Sequence, residues 1–292
     1  MTTSDKNVYI LGTAYSGSTL LGSALNGHPL IAYAGEISRL PFFDHGPVGT
    51  ACFVCDIKGE ACPIWTDDLK ARMEQRGPGE AVDVYRETVG TPVVIDGSKY
   101  AQWLRSVQAS QPLPPHTRVL LTTKNPFSYA SSIKRRDGHE AWLAANMWRD
   151  TVFDCLRTLV SLGLPYLVVR YEDFSLEPER LLRKVCGFLD VEFDQRVMSF
   201  WKQPVHALGG NLGAYVWYKG VMPDSPAPAQ KGGDLHVAQT YEARGFGGWF
   251  DSKWRDELTA DEISLVLGTP LLGDLCSMMG YKLERLLSGT AL

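Results

Sequence analysis

The segment Gly12-Thr13-Ala14-Tyr15-Ser16-Gly17-Ser18-Thr19 constrains this chain more than any other. It follows a short apolar run, Val8 to Leu11. It leads into the helix-like stretch Ser18 to Leu25, which Asn26-Gly27-His28-Pro29 closes. A buried strand, a glycine turn and a helix in that order aim backbone N–H groups and the positive end of the helix at one point, where an anion is held. The spacing is that of a G-x-x-x-x-G-K-[ST] phosphate loop with Ser18 in place of the lysine. Without that cation the loop suits a single phosphate better than a triphosphate chain. Taken alone, it is also readable as a glycine-rich turn with no ligand.

The rest of the chain supplies a matching frame. Strands are predicted at Val8–Leu11, Pro92–Ile95, Arg118–Thr122 and Tyr166–Arg170, with Asp96-Gly97 ending the second. Helices are predicted at Lys99–Gln108, Pro126–Arg136, Glu140–Leu162, Pro178–Leu189 and Leu258–Met279, and helical charge patterning runs over 66–90. Strands alternating with helices argue for a parallel sheet. The expectation is a single α/β domain over residues 1–292, a three-layer, P-loop-like fold with a central parallel sheet flanked by helices. A cysteine-containing insertion at 41–65 and a loop-rich segment at 201–250 are expected to form an acceptor cap.

Charge and composition narrow the classes. The net charge is −4, so the surface as a whole does not invite nucleic acid. The chain is 45% hydrophobic and 21% charged, ordinary for a globular protein. No stretch approaches the ~18 apolar residues of a membrane span, and the N-terminus lacks a signal-type pattern. A soluble, cytoplasmic protein is expected.

A second cationic motif follows the third predicted strand. Lys124 stands at its end, Ser132 lies inside the next helix, and Lys134-Arg135-Arg136 close that helix. Ligands bind at this edge of such sheets. Two anion sites on one edge suggest a nucleotide with two separated phosphates, although the basic trio also suits a solvated helix C-terminus.

These motifs together resemble sulfotransferases that use 3′-phosphoadenosine 5′-phosphosulfate (PAPS), of the bacterial and Golgi-like branch. GTAYSGSTLLGSALNGHP with Gly35-Glu36 is similar to the 5′-phosphosulfate loop, and VLLTTKNPFSYASSIKRR to the 3′-phosphate motif. VVIDGSK, VVRYEDFSLEPERLLRKVCGFLDVEF, His206 with Gly209-Gly210-Asn211, and Trp254 with Met279-Gly280-Tyr281 extend the resemblance over most of the chain. It implies that Ala14, Tyr15, Ser16, Gly17, Ser18 and Thr19 hold the 5′-phosphate and sulfonate. Lys124 and Ser132 would hold the 3′-phosphate, with Arg135 and Arg136 as helpers. Glu36 would be the catalytic base, and Lys99 would sit near the bridging oxygen. No metal is required by such a reaction. This chain departs from the pattern at Tyr15, where the loop usually has a cation. It departs again at Lys124, where arginine is usual, and at Phe127, which replaces a second arginine. No arginine follows the Gly-Asn segment.

Cys52, Cys55 and Cys62 form a compact cluster that reads as reduced thiols, as a disulfide, or as a zinc site with His45 as a guessed fourth ligand. His206, Tyr215 and Trp217 are acceptor-side candidates in an aromatic-rich stretch. The acceptor is left as a small molecule, lipid or sugar hydroxyl. A P-loop kinase using ATP and a non-catalytic nucleotide-binding module are the alternatives.

Overall fold

The structure, a computed structural model, describes residues 4–42, 52–215 and 250–288. Its centre is one sheet of five parallel strands: β1 (Lys6–Gly12), β2 (Ile31–Gly35), β3 (Val93–Lys99), β4 (Arg118–Thr123) and β5 (Tyr166–Arg170), in the order β2-β3-β1-β4-β5. Every strand pairing is parallel. Residues 6–12, 31–35 and 93–98 are continuously buried, as expected for strands covered on both faces.

Helices connect the strands and flank the sheet. They are α1 (Ser18–Asn26), α2 (Phe53–Lys58), α3 (Asp67–Arg76), α4 (Ala81–Val89), α5 (Ala101–Ser110), α6 (Pro126–Asp137), α7 (Ala141–Leu162), α8 (Tyr171–Leu176), α9 (Pro178–Phe188) and α10 (Leu212–Tyr215). The expected α/β fold with a parallel central sheet is therefore present. No helix among the described residues is long and apolar enough to cross a membrane.

Several predicted boundaries are corrected. β2 was not anticipated. Its sequence, IAYAG, is short and alanine-rich, and burial on both faces removes the polar alternation that marks a half-exposed strand. Asp96-Gly97 does not end β3. The strand continues through a bulge to Lys99, so that Tyr9 pairs with Asp96 and Leu11 with Lys99. Lys99 is thus a strand end rather than a first-turn helix residue, and α5 starts at Ala101. The C-terminal stretch is two helices, Ala260–Leu267 and Leu272–Met278, broken around Pro270, with Leu271 at φ 63°. The helical patterning of 66–90 resolves into α3 and α4, separated by Gly77-Pro78-Gly79.

Two glycines set how the site is built. Gly12 has φ 136°, and a Cβ there would lie 1.8 Å from the Thr122 carbonyl oxygen. The loop after β1 therefore leaves the strand in direct backbone contact with β4. Gly35 has φ 85° and abuts the backbone of Leu208, so a side chain at this position would push away the segment that covers β2.

Candidate active site

Four strand ends meet at the C-terminal edge of the sheet: Gly12 of β1, Gly35 of β2 followed by Glu36, Lys99 of β3, and Thr123 of β4 followed by Lys124. This is the edge at which open parallel sheets bind ligands.

The loop after β1 is held from within. Ser16 donates from Oγ to the Thr13 carbonyl at 2.7 Å and lies 3.0 Å from Thr122 Oγ1. The Ser16 hydroxyl therefore shapes the loop. Tyr15 takes the left-handed φ of 57°, uncommon for a bulky side chain and concentrated at functional sites. Gly17 caps α1 with φ 80°, and no cap side chain occupies the N-terminus of that helix. The Thr13 hydroxyl is buried with no hydrogen-bond partner among the described residues. Thr19 Oγ1 accepts from Asn211 N at 3.1 Å, which ties α1 to the Gly209-Gly210-Asn211 turn. Ser18 and Thr19 are themselves buried.

A cation from another element reaches position 15. The Arg136 guanidinium lies over the Tyr15 ring, 4.7 Å from its centroid, and the Tyr15 hydroxyl is 3.4 Å from Asp137 Oδ1. The last turn of α6 thus brings positive charge to the loop after β1 through a cation–π contact.

Glu36 is buried and sits between two cations. Lys99 Nζ is 2.5 Å from Oε1, and Arg39 donates to Oε2 at 3.1 Å. Lys99 occupies the left-handed region at φ 65°, a conformation that β-bulge geometry imposes at the end of β3. Asp96 fixes this arrangement. Its carboxylate accepts from Ile37 N at 3.3 Å, Ser98 N at 2.9 Å, Ser98 Oγ, and Trp103 Nε1 at 2.6 Å. Burial pushes its pKa up to about 6, against the lowering pull of those donors. With its oxygens committed to four donors, Asp96 is a brace between β3 and the turn after Glu36.

Lys124 and Ser132 meet as the spacing suggested, with Nζ donating to Ser132 Oγ at 2.9 Å. The structure adds Asp251, whose Oδ2 lies 2.6 Å from Lys124 Nζ and 3.8 Å from an Arg135 guanidinium nitrogen. Burial lowers the Lys124 pKa, and Asp251 pulls it back up. Burial alone would raise Asp251; Lys124 and Arg135 outweigh it and hold the carboxyl below its usual range. Lys124 also lies over the Tyr171 ring, 5.0 Å from its centroid.

Glu172, buried at 1% exposure, secures the turn that presents Lys124. It accepts from Asn125 N at 2.9 Å, Asn125 Nδ2 at 2.7 Å and the Tyr281 hydroxyl at 2.7 Å. Trp148 Nε1 donates to the Lys124 carbonyl at 2.8 Å. Phe127 is fully buried and stacks on Trp254 at 4.8 Å. That stack, with Ser128 Oγ donating to the Asp251 carbonyl at 2.9 Å, seats the 251–257 segment on α6. Arg135 also pairs with Glu257 there.

The acceptor-side candidates separate. Tyr215 is fully buried, and its hydroxyl donates to the Gly209 carbonyl at 2.8 Å, supporting that turn. His206 faces the cysteine cluster: Nδ1 is 3.4 Å from Cys55 Sγ and 3.5 Å from Cys62 Sγ. Trp217 and His45 lie outside the described residues. Sequence reasoning missed Asp251, Arg39, Glu172 and Trp148 as site residues. Only Glu172, two residues past a predicted strand end, carried a positional signal.

No protein-family model and no curated protein matches the sequence. Solved structures do match. The sulfotransferase domain of the Synechococcus PCC 7002 olefin synthase is 20% identical, covering 91% of this chain and 95% of that domain at a TM-score of 0.58. The sulfotransferase domain from the curacin biosynthetic pathway is also 20% identical, with 96% and 99% covered at a TM-score of 0.58. The chain has a sulfotransferase fold. At this level of identity the likeness concerns the sulfotransferase fold, and the chemistry has to be argued from the site.

Proposed function

We propose that this protein is a PAPS-dependent sulfotransferase that moves a sulfonate group to a hydroxyl of a small-molecule, lipid or carbohydrate acceptor. The observation that carries the proposal is the pair of anion cradles on one sheet edge. One is the lysine-less loop after β1, and the other is Lys124 with Ser132 and Arg135 after β4. The residues fit a nucleotide with 5′ and 3′ phosphates. Asp251 already satisfies the second cradle as an internal anion, and the first offers an uncapped helix N-terminus and the orphaned Thr13 hydroxyl.

When bound, PAPS supplies an activated sulfonate and a phosphate leaving group. The protein's own contributions are positioning, charge and a proton acceptor. Glu36 takes the proton of the acceptor hydroxyl onto its carboxylate, and its pairing with Lys99 and Arg39 fixes its orientation. Lys99, the N-terminus of α1 and Arg136 supply preorganised positive charge for the phosphosulfate side, the kind of contribution that is often the largest in catalysis. The kinase alternative loses support because Ser18 replaces the loop lysine.

A thermal-shift panel of PAPS, adenosine 3′,5′-bisphosphate and magnesium-ATP tests the reading. Ligand at about 100 times its dissociation constant stabilises a protein by about 2.7 kcal/mol, a shift of several degrees. Stabilisation by both adenosine 3′-phosphates is expected; stabilisation by magnesium-ATP alone would reject the proposal.

Two weaker substitutions probe the cradles separately. Asp251→Asn removes the carboxylate that competes for Lys124. It is expected to tighten adenosine 3′,5′-bisphosphate binding about tenfold, or about 1.4 kcal/mol, with a smaller gain at high salt. Calorimetric titration at two ionic strengths checks it. Arg136→Gln removes the cation stacked on Tyr15 and is expected to weaken adenosine 5′-phosphate binding about three- to tenfold, while Tyr15→Phe, which keeps the ring, changes it little. Equal losses in both variants would assign the effect to the tyrosine hydroxyl.

A further inference from the structure

The thiols of Cys52, Cys55 and Cys62 and the imidazole of His206 converge behind the sheet edge, all four ligand atoms lying within 4.8 Å of one another. We infer that these four residues form a closed, structural zinc(II) site. Tetrahedral zinc with bonds of about 2.3 Å to sulfur and about 2.0 Å to nitrogen requires sulfur–nitrogen edges of about 3.5 Å. The two such edges observed from His206 Nδ1, 3.4 Å to Cys55 and 3.5 Å to Cys62, agree. The cysteines are 0%, 3% and 6% exposed, which suits a site with no open position for water or substrate.

Supporting hydrogen bonds are also in place. Trp65 N donates to Cys62 Sγ at 3.2 Å. The His206 carbonyl accepts from Trp65 Nε1 at 2.8 Å and from the Tyr85 hydroxyl at 3.2 Å, anchoring the ligand's own backbone. Such outer contacts orient metal ligands. A disulfide would join two of the three sulfurs and strand the third beside the imidazole.

The metal's work is to hold the segment that covers Glu36. Two residues after His206, Leu208 bridges both Gly35 and Cys52. The Leu208 carbonyl accepts the Glu36 N–H at 2.7 Å, and Leu208 N donates to Ala34 O at 2.9 Å. Three residues further on, Asn211 N binds Thr19. The zinc site therefore crosslinks residues 52–62 to the segment that fixes both Glu36 and the phosphate-loop helix. It places His206 as a ligand, not as an acceptor-side base.

The test is metal analysis of the full chain purified without chelator, and it does not depend on nucleotide. About one zinc per chain is expected. Replacement by cobalt(II) should give the intense visible bands and thiolate charge-transfer absorption of a four-coordinate thiolate site, a readout that needs no variant. His206→Ala should lower the zinc content at least tenfold, and His45→Ala should leave it unchanged. Three thiol-reactive cysteines in zinc-free, folded protein would overturn the inference. So would a disulfide among Cys52, Cys55 and Cys62 in a non-reduced digest, or zinc retained by His206→Ala and lost by His45→Ala.

Discussion

Glu36→Gln is expected to lower kcat for sulfonate transfer by about 10²- to 10⁴-fold, the range attributed to a positioned proton acceptor, while nucleotide affinity stays close to that of the parent. The glutamine keeps the shape of the side chain and an oxygen for Lys99, so it removes proton uptake with little change in packing. Lys99 keeps 18% of its side chain exposed, and water offsets part of the charge that the lost carboxylate leaves behind. The fold should therefore survive the change. Steady-state kinetics separates the outcomes. A fall in kcat with an unchanged dissociation constant for adenosine 3′,5′-bisphosphate supports the base assignment. Unchanged kcat rejects it and leaves Glu36 as the structural partner of Lys99 and Arg39.

Lys124→Ala is expected to damage both stability and binding. The ammonium is buried, and its removal leaves Asp251, 15% exposed, without its nearest counter-charge. Breaking a buried pair in this way costs about 3–5 kcal/mol. The double variant Lys124→Ala/Asp251→Asn separates the two effects. It should recover most of the lost melting temperature, because the stranded carboxylate is gone, yet stay at least about 100-fold weaker for adenosine 3′,5′-bisphosphate, as expected when a buried charged partner of an anion is removed. Recovery of binding together with stability would mean that Lys124 serves only to pair with Asp251.

The parts of this site that local spacing controls were legible in the sequence. A glycine-bracketed turn between an apolar run and a helix has few structural solutions, so Gly12 to Thr19 was placed correctly. Lys124 and Ser132 were joined because one ends a strand and the other lies two turns into the helix that follows. What escaped was whatever depends on distant chain segments. Asp251 reaches Lys124 across 127 positions, and nothing in its neighbourhood marks it as an anion for that cradle. His206 stands among aromatics in sequence, which points to an acceptor wall; the cysteines it faces lie as far as 144 positions earlier, at Cys62, so local sequence does not reveal them. The contact of Arg136 with the Tyr15 ring likewise joins α6 to a loop more than a hundred positions earlier, and spacing within α6 does not reveal it. β2 was lost for a local reason, since a short, fully buried, alanine-rich strand carries no alternation.

The departures from the sulfotransferase pattern acquire physical explanations in the same way. Phe127 stands where an arginine is usual and builds the stack on Trp254 that carries Asp251 to the cradle. Tyr15 gives up a loop cation and recruits one from α6.

The most direct test of the central claim, that one sheet edge holds a nucleotide by two separated phosphates, is calorimetric titration of the wild-type protein with adenosine 3′,5′-bisphosphate and with adenosine 5′-phosphate. The bisphosphate is expected to bind at least about 100-fold more tightly, a difference of about 2.7 kcal/mol, contributed by Lys124, Ser132 and Arg135. Equal affinity for the two nucleotides would contradict it.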